Sequence, residues 1–242
     1  MYDRPETSNV FAAAMYIYLC YVSLPFIMLL GAINGGDRLD LLSWIELAVH
    51  IISFIAAISI FSSYLKDSFW NVQTQVKNIA LTAALAVVLI GVVVYVMAFL
   101  EYFTELELIW AGLYGSLPLV DNEVFVSAAY LVELQPLWGT LVTVFLVPFA
   151  TCCMFYGVGF APAASNKPWL GYVVVCIVLL IPRLCNGLTH WVLSEQLAFY
   201  FARLPMHLIC CWSYQKTDTI WTPIFVHMAV NLISCGLCLY LT

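Results

Sequence analysis

Long apolar runs alternate with short polar connections along most of this chain. Seven runs have about the length of a membrane span: 10–33, 41–65, 78–103, 137–160, 169–192, 196–213 and 220–241. A helix rising about 1.5 Å per residue needs roughly 20 apolar residues to cross a bilayer core of about 30 Å. The pattern therefore predicts an all-α, polytopic transmembrane helical bundle of about seven spans. The sixth run is the shortest and contains Pro205, which predicts a tilted or broken helix. The first run is long enough to span and is followed by no small-residue cleavage site, so it is expected to be a retained helix. No internal repeat or low-complexity tract is visible.

Composition strengthens this picture. The 242 residues are 64% hydrophobic and 9% charged, against about 25% charged in soluble domains. Such a chain cannot clothe itself in polar side chains, and an integral membrane protein is expected. The eight Lys and Arg do not cluster, so the sequence offers no nucleic-acid surface. Their placement predicts orientation. Arg4, Lys66, Lys77, Lys167 and Lys216 fall at the N-terminus and in the second, fourth and sixth connections; only Arg38 falls on the opposite side. By the positive-inside rule the N-terminus is cytoplasmic and the C-terminus external. The long connection 104–136 is then external. It carries Glu105, Glu107, Asp121, Glu123 and Glu133 and no basic residue, and its apolar patches suggest helices lying on the membrane surface. Two parts result: 1–136, with three spans and the acidic loop, and 137–242, with most of the polar groups at membrane depth.

Nine cysteines all lie in apolar segments, which suits small buried side chains rather than disulfides. Cys235 and Cys238 form a CxxC inside a predicted span. Polar side chains at membrane depth are costly unless they face protein or water, so each is a candidate for function. Arg183, Asn186 and His190 share one face of the fifth span, just after Pro182. Arg203 and His207 are four apart on the sixth, and His227 and Asn231 are four apart on the seventh. Burying all three stripes requires the helices to converge. Alternatively Arg203 snorkels to an interface, His190 sits at a membrane surface, and His207 is structural. Glu46 and His50, four apart on the second span, read as a self-satisfied pair.

These residues carry a family resemblance. The stretch "IWTPIFVHMAVN", with His227 and Asn231, and the preceding "LAFYFARLPMHLICCWSYQKTDTIWTP" resemble the CAAX-processing and bacteriocin-processing (CPBP, or Abi) family of intramembrane proteases over about 137–235. Its relatives include prenyl-protein endopeptidases and bacteriocin-immunity proteins. The family carries Glu-Glu-x-x-x-Arg, then Phe-x-x-x-His, then His-x-x-x-Asn. Here "NGLTH" keeps His190, with Asn186 where Phe is usual. "VPFATCCMFYGVGF" keeps the apolar frame of the first motif, but Thr151 and Cys152 stand at the Glu pair and Tyr156 at the Arg. No Asp or Glu occurs between Leu134 and Ser194.

The resemblance implies a C-terminal Abi-type core in a cell membrane of bacterial type. Its catalytic positions would be Cys152, His190, His227 and Asn231; Thr151, Tyr156, Arg183, Asn186, Arg203 and His207 would line the cavity. A water-activating mechanism needs a base of usable pKa, and a threonine hydroxyl is far too weak. The acids and the Arg are lost together, which strands no charge. The expected protein is thus a pseudoprotease that binds a peptide, lipid or membrane-protein partner. Three rescues stay open. Cys152 can act as a nucleophile with His190 or His227 as base. Cys152, His190 and His227 can bind zinc, although no metal spacing is diagnostic. Glu46 can supply the missing carboxylate. A separate reading is a binding or immunity subunit of a membrane assembly, its Arg183, His190, Arg203 and His207 holding an anion.

Overall fold

The computed structural model describes residues 39–104, 136–165, 167–190 and 193–241. The predicted first span, the connection 105–135, and the side chains of Glu46, His50, Arg183, Asn186 and His190 lie outside the described residues. The described part is helical throughout, in five elements. We number them α1 (Leu39–Thr104), α2 (from Pro136–Leu141 through Ala161–Ala164), α3 (Pro168–His190), α4 (Leu193–Thr217) and α5 (Trp221–Leu241).

The boundaries of α3 and α5 fall close to the apolar runs that predict them. Two expectations need correction. The second and third runs do not end at a loop over 66–77. They are separate helices that α1 joins across a kink, with non-helical backbone at Phe61 and Gln75. Residues 66–77 are polar yet contain neither Gly nor Pro, so no loop forms and the break is confined to the kink at Gln75. Likewise α4 is not broken at Pro205; it continues through that residue for 25 residues. Packing on both sides of Pro205 holds it, since Tyr200 before it and His207 after it are buried and Met206 and Ile209 rest on the core.

Within α2, two stretches wind as π-helix, Val142–Leu146 and Cys153–Phe160. Each ends two residues before a proline, Pro148 or Pro162. A helical proline lacks an N–H and crowds the carbonyl four residues back. The wider π winding accommodates this: Val147 N–H reaches Val142 O and Ala161 N–H reaches Tyr156 O, five residues back in each case.

One hydrophobic cluster unites the elements. It includes Phe61 and Tyr64 before the Gln75 kink and Ala86 and Ile90 after it, together with Phe155, Tyr156 and Phe160 of α2, Val175 of α3, Tyr214 of α4 and Ile224 of α5. The α2–α3 contact is close at Gly171. A Cβ at Gly171 would stand 2.6 Å from Phe160 Cδ2 and 2.8 Å from Ala164 Cβ, so only glycine permits this approach. Outward positions of α1 and α3 such as Ile55, Leu85, Val88, Val173, Ile177 and Ile181 are exposed and apolar, the pattern of a surface solvated by lipid.

The α4–α5 turn is tied to α1 by buried hydrogen bonds. Ser68 Oγ accepts from Ile220 N–H at 3.1 Å and bonds Thr219 Oγ1 at 2.8 Å. Trp221 Nε1 donates to Leu65 O, and Thr217 Oγ1 donates to Thr222 Oγ1. Asp218 takes the left-handed conformation (φ 51°) that lets its N–H close back on Tyr214 O. Ser68 thus satisfies a donor at the start of α5 that the helix itself cannot pair.

Two helical stretches are long and apolar enough to cross a membrane, Phe54–Met97 and Leu137–Ala164, with shorter apolar stretches at Pro168–Ile181 and Trp221–Ile233. The expectation of seven spans reaches beyond these.

Candidate functional site

The polar side chains of α2, α4 and α5 meet inside the bundle. Cys152 ends the central α-helical part of α2 and is fully buried. Its Sγ lies 3.8 Å from Nδ1 of His227. One turn further along α2, the Tyr156 hydroxyl bonds Nδ1 of His207 at 2.8 Å. The rings of His207 and His227 stand edge to face, centroids 6.4 Å apart. Both imidazoles are buried, and Phe155 closes one side of His207. A single buried row therefore runs Cys152, His227, His207, Tyr156.

Asn231 lies one turn beyond His227 on α5. Its Nδ2 donates to the backbone carbonyl of Thr143 at 2.8 Å. The sequence explains why that carbonyl accepts from a side chain. Val147 N–H, its α-helical partner, goes to Val142 O instead, and the next residue, Pro148, has no N–H. Asn231 fills the gap. Its Oδ1 and the Oγ1 of Thr143 are buried with no hydrogen-bond partner.

Of the residues expected from sequence, Cys152, Tyr156, His207, His227 and Asn231 thus gather in one region, and Thr151 is buried beside Cys152. Arg203 is half-buried on α4. Arg183, Asn186 and His190 belong to α3, their side chains outside the described residues. Two features are additions: the Tyr156–His207 bond and the part played by Thr143. The sequence signal for the second is a threonine at membrane depth five residues before a helical proline.

The chemistry of this arrangement is neutral. No Asp or Glu is among the buried polar side chains described, which are Ser, Thr, His and Asn. Among the described residues no three His, Cys, Asp or Glu side chains form a group that could hold a metal ion. The thiol and the imidazoles can exchange hydrogen bonds and hold polar groups. A carboxylate base is absent from the described part of the site.

An all-helical membrane bundle with a buried imidazole and amide site is the class that these observations define. Residues 133–233 match the family model of the type II CAAX prenyl endopeptidase Rce1-like proteins, in agreement with the CPBP resemblance. Over those residues the chain is similar to CAAX proteases, and its apolar helices are those of an integral membrane protein. No curated protein and no solved structure matches it.

Proposed function

We propose that this protein is a membrane pseudoprotease: a CAAX-protease-like core that binds a partner within the bilayer and does not hydrolyse it. The observation that carries the reading is the neutrality of α2 at the site. Thr151 and Cys152 occupy the positions that the resemblance equates with the glutamate pair, and Tyr156 that of the arginine. Tyr156 is fully buried against His207. Water activation needs a base within reach of the reacting proton, and these side chains supply none. A binder needs only the polar row and its apolar walls. The partner is a peptide, a lipid or a membrane protein, as suits an immunity or regulatory subunit, and the N-terminus faces the cytoplasm.

The purified full-length chain in lipid nanodiscs, incubated with a farnesylated CAAX peptide, is expected to leave that peptide intact by mass spectrometry. Cleavage by the wild type that His227→Ala abolishes would overturn the proposal.

The approach of Cys152 Sγ to His227 Nδ1 favours one second reading, proteolysis by thiol attack. It predicts cleavage that Cys152→Ala removes and an alkylating agent blocks.

A further inference from the structure

The two orphan atoms beside the imidazole row specify what the site accepts. Asn231 is 3% exposed and Thr143 is 3% exposed. A buried polar atom without a partner costs about 1–3 kcal/mol, and the interior keeps two of them on residues already in contact. The orientation of the Asn231 amide is fixed by chemistry. Its partner, the Thr143 carbonyl, can only accept, so the nitrogen must face it and the oxygen faces away. Oδ1 is purely an acceptor. The neighbouring Oγ1 of Thr143 has no partner either, and its lone pairs can accept as well. The amide presents an acceptor, the wrong polarity for an oxyanion, a carboxylate or a phosphate, and the right one for a donor. Val142, Val144 and Val230, the chain neighbours of these two residues, are buried and apolar, so the surroundings favour a ligand that is otherwise apolar.

We propose that Asn231 Oδ1 and Thr143 Oγ1 form a recognition site for an apolar ligand bearing a hydrogen-bond donor, an amide N–H or a hydroxyl. The inference rests on the reading of the core as a binder and names its ligand chemistry. It replaces, at this point of the bundle, the anion that the arginine-rich stripes suggest. A peptide amide and a lipid hydroxyl both supply the donor.

The test uses the full-length chain in phosphatidylcholine nanodiscs and three probes: acetyl-Leu-Leu-amide, its fully N-methylated counterpart, and 1-monooleoylglycerol. Binding is read from intrinsic tryptophan fluorescence and from the shift in thermal unfolding. The parent amide or the monoacylglycerol is expected to bind about tenfold more tightly than the N-methylated peptide; whichever does identifies the source of the donor. Thr143→Val removes one acceptor that bonds nothing in the protein, so the fold persists, and the preferred probe should weaken about tenfold while the N-methylated peptide is unaffected. Thr143→Ser should retain binding. Equal binding of parent and N-methylated peptide with no monoacylglycerol preference, a Thr143→Val variant that binds as the wild type, or failure of every probe, as for a site holding only water, would overturn the proposal. Mass spectrometry of the same samples reports hydrolysis separately. Cleavage would defeat the pseudoprotease reading and leave donor preference to be judged on the affinity ratios.

Discussion

At the residue scale, the interior of α2 is chemically matched to its neutrality. Tyr156 and His207 satisfy each other in a buried region with no carboxylate among its described buried side chains. Removing one partner takes a buried hydrogen bond from the other, so Tyr156→Phe should cost about 0.5–1.5 kcal/mol of stability. Tyr156→Phe combined with His207→Leu should cost less than the sum of the two single changes, a double-mutant coupling readable by thermal or denaturant unfolding in detergent. Restoring one acid tests the same logic from the other side. Thr151 is buried beside Cys152, and no cation stands where the resemblance would place an arginine, since that position is Tyr156. Thr151→Glu is therefore expected to destabilise by about 2–5 kcal/mol, as an unpaired buried charge does. An unchanged unfolding midpoint would mean that a cation reaches Thr151 after all.

At the scale of elements, prolines and glycines set the geometry of the site. Pro148 and Pro162 convert parts of α2 to π winding, and the first of these frees the carbonyl that Asn231 takes. Gly171 lets α3 lie directly on the C-terminal end of α2. Gly171→Ala would push a methyl group into Ala164 Cβ and the ring of Phe160. Overpacking of this kind costs about 1–3 kcal/mol. The expected result is a lower unfolding midpoint; an unchanged one would show that α3 can slide off α2 freely. The seam between α1 and the α4–α5 turn is of another kind, built from hydroxyls, where Ser68 caps a helix that is remote in sequence.

At the scale of the whole molecule, the described helices share one core and turn apolar faces outward. Asn71 Nδ2 reaches Asp218 O, and Tyr172 OH donates to Gln215. These bonds place part of the α1 segment between Lys66 and Lys77 beside the α4–α5 turn that follows Lys216, and the start of α3 just after Lys167 beside the end of α4. The orientation argument puts these four lysines in the cytoplasm. A membrane-impermeant amine reagent applied to intact cells should leave Lys66, Lys77, Lys167 and Lys216 unmodified, and should modify them after permeabilisation. Labelling from outside would invert the orientation.

Sequence alone was enough to establish a membrane protein, the helices α3 and α5, and the residues of the polar row. Most follow from local causes: apolar length, a helical repeat of three to four residues, and the cost of polar groups in hydrocarbon; Cys152 and Tyr156 are singled out by the family resemblance alone. His227 and Asn231 had to share a face because they are four apart on one helix. Which helix would meet which had no such local cause. The pairing of Tyr156 with His207, of Cys152 with His227 and of Asn231 with the carbonyl of Thr143 joins residues 51, 75 and 88 apart in the chain. The continuity of α4 was also hidden, because proline suggests a break, while packing overrides it. Tertiary structure decided these matters, since only the packed bundle fixes which donors and acceptors are within reach and which are left for a ligand.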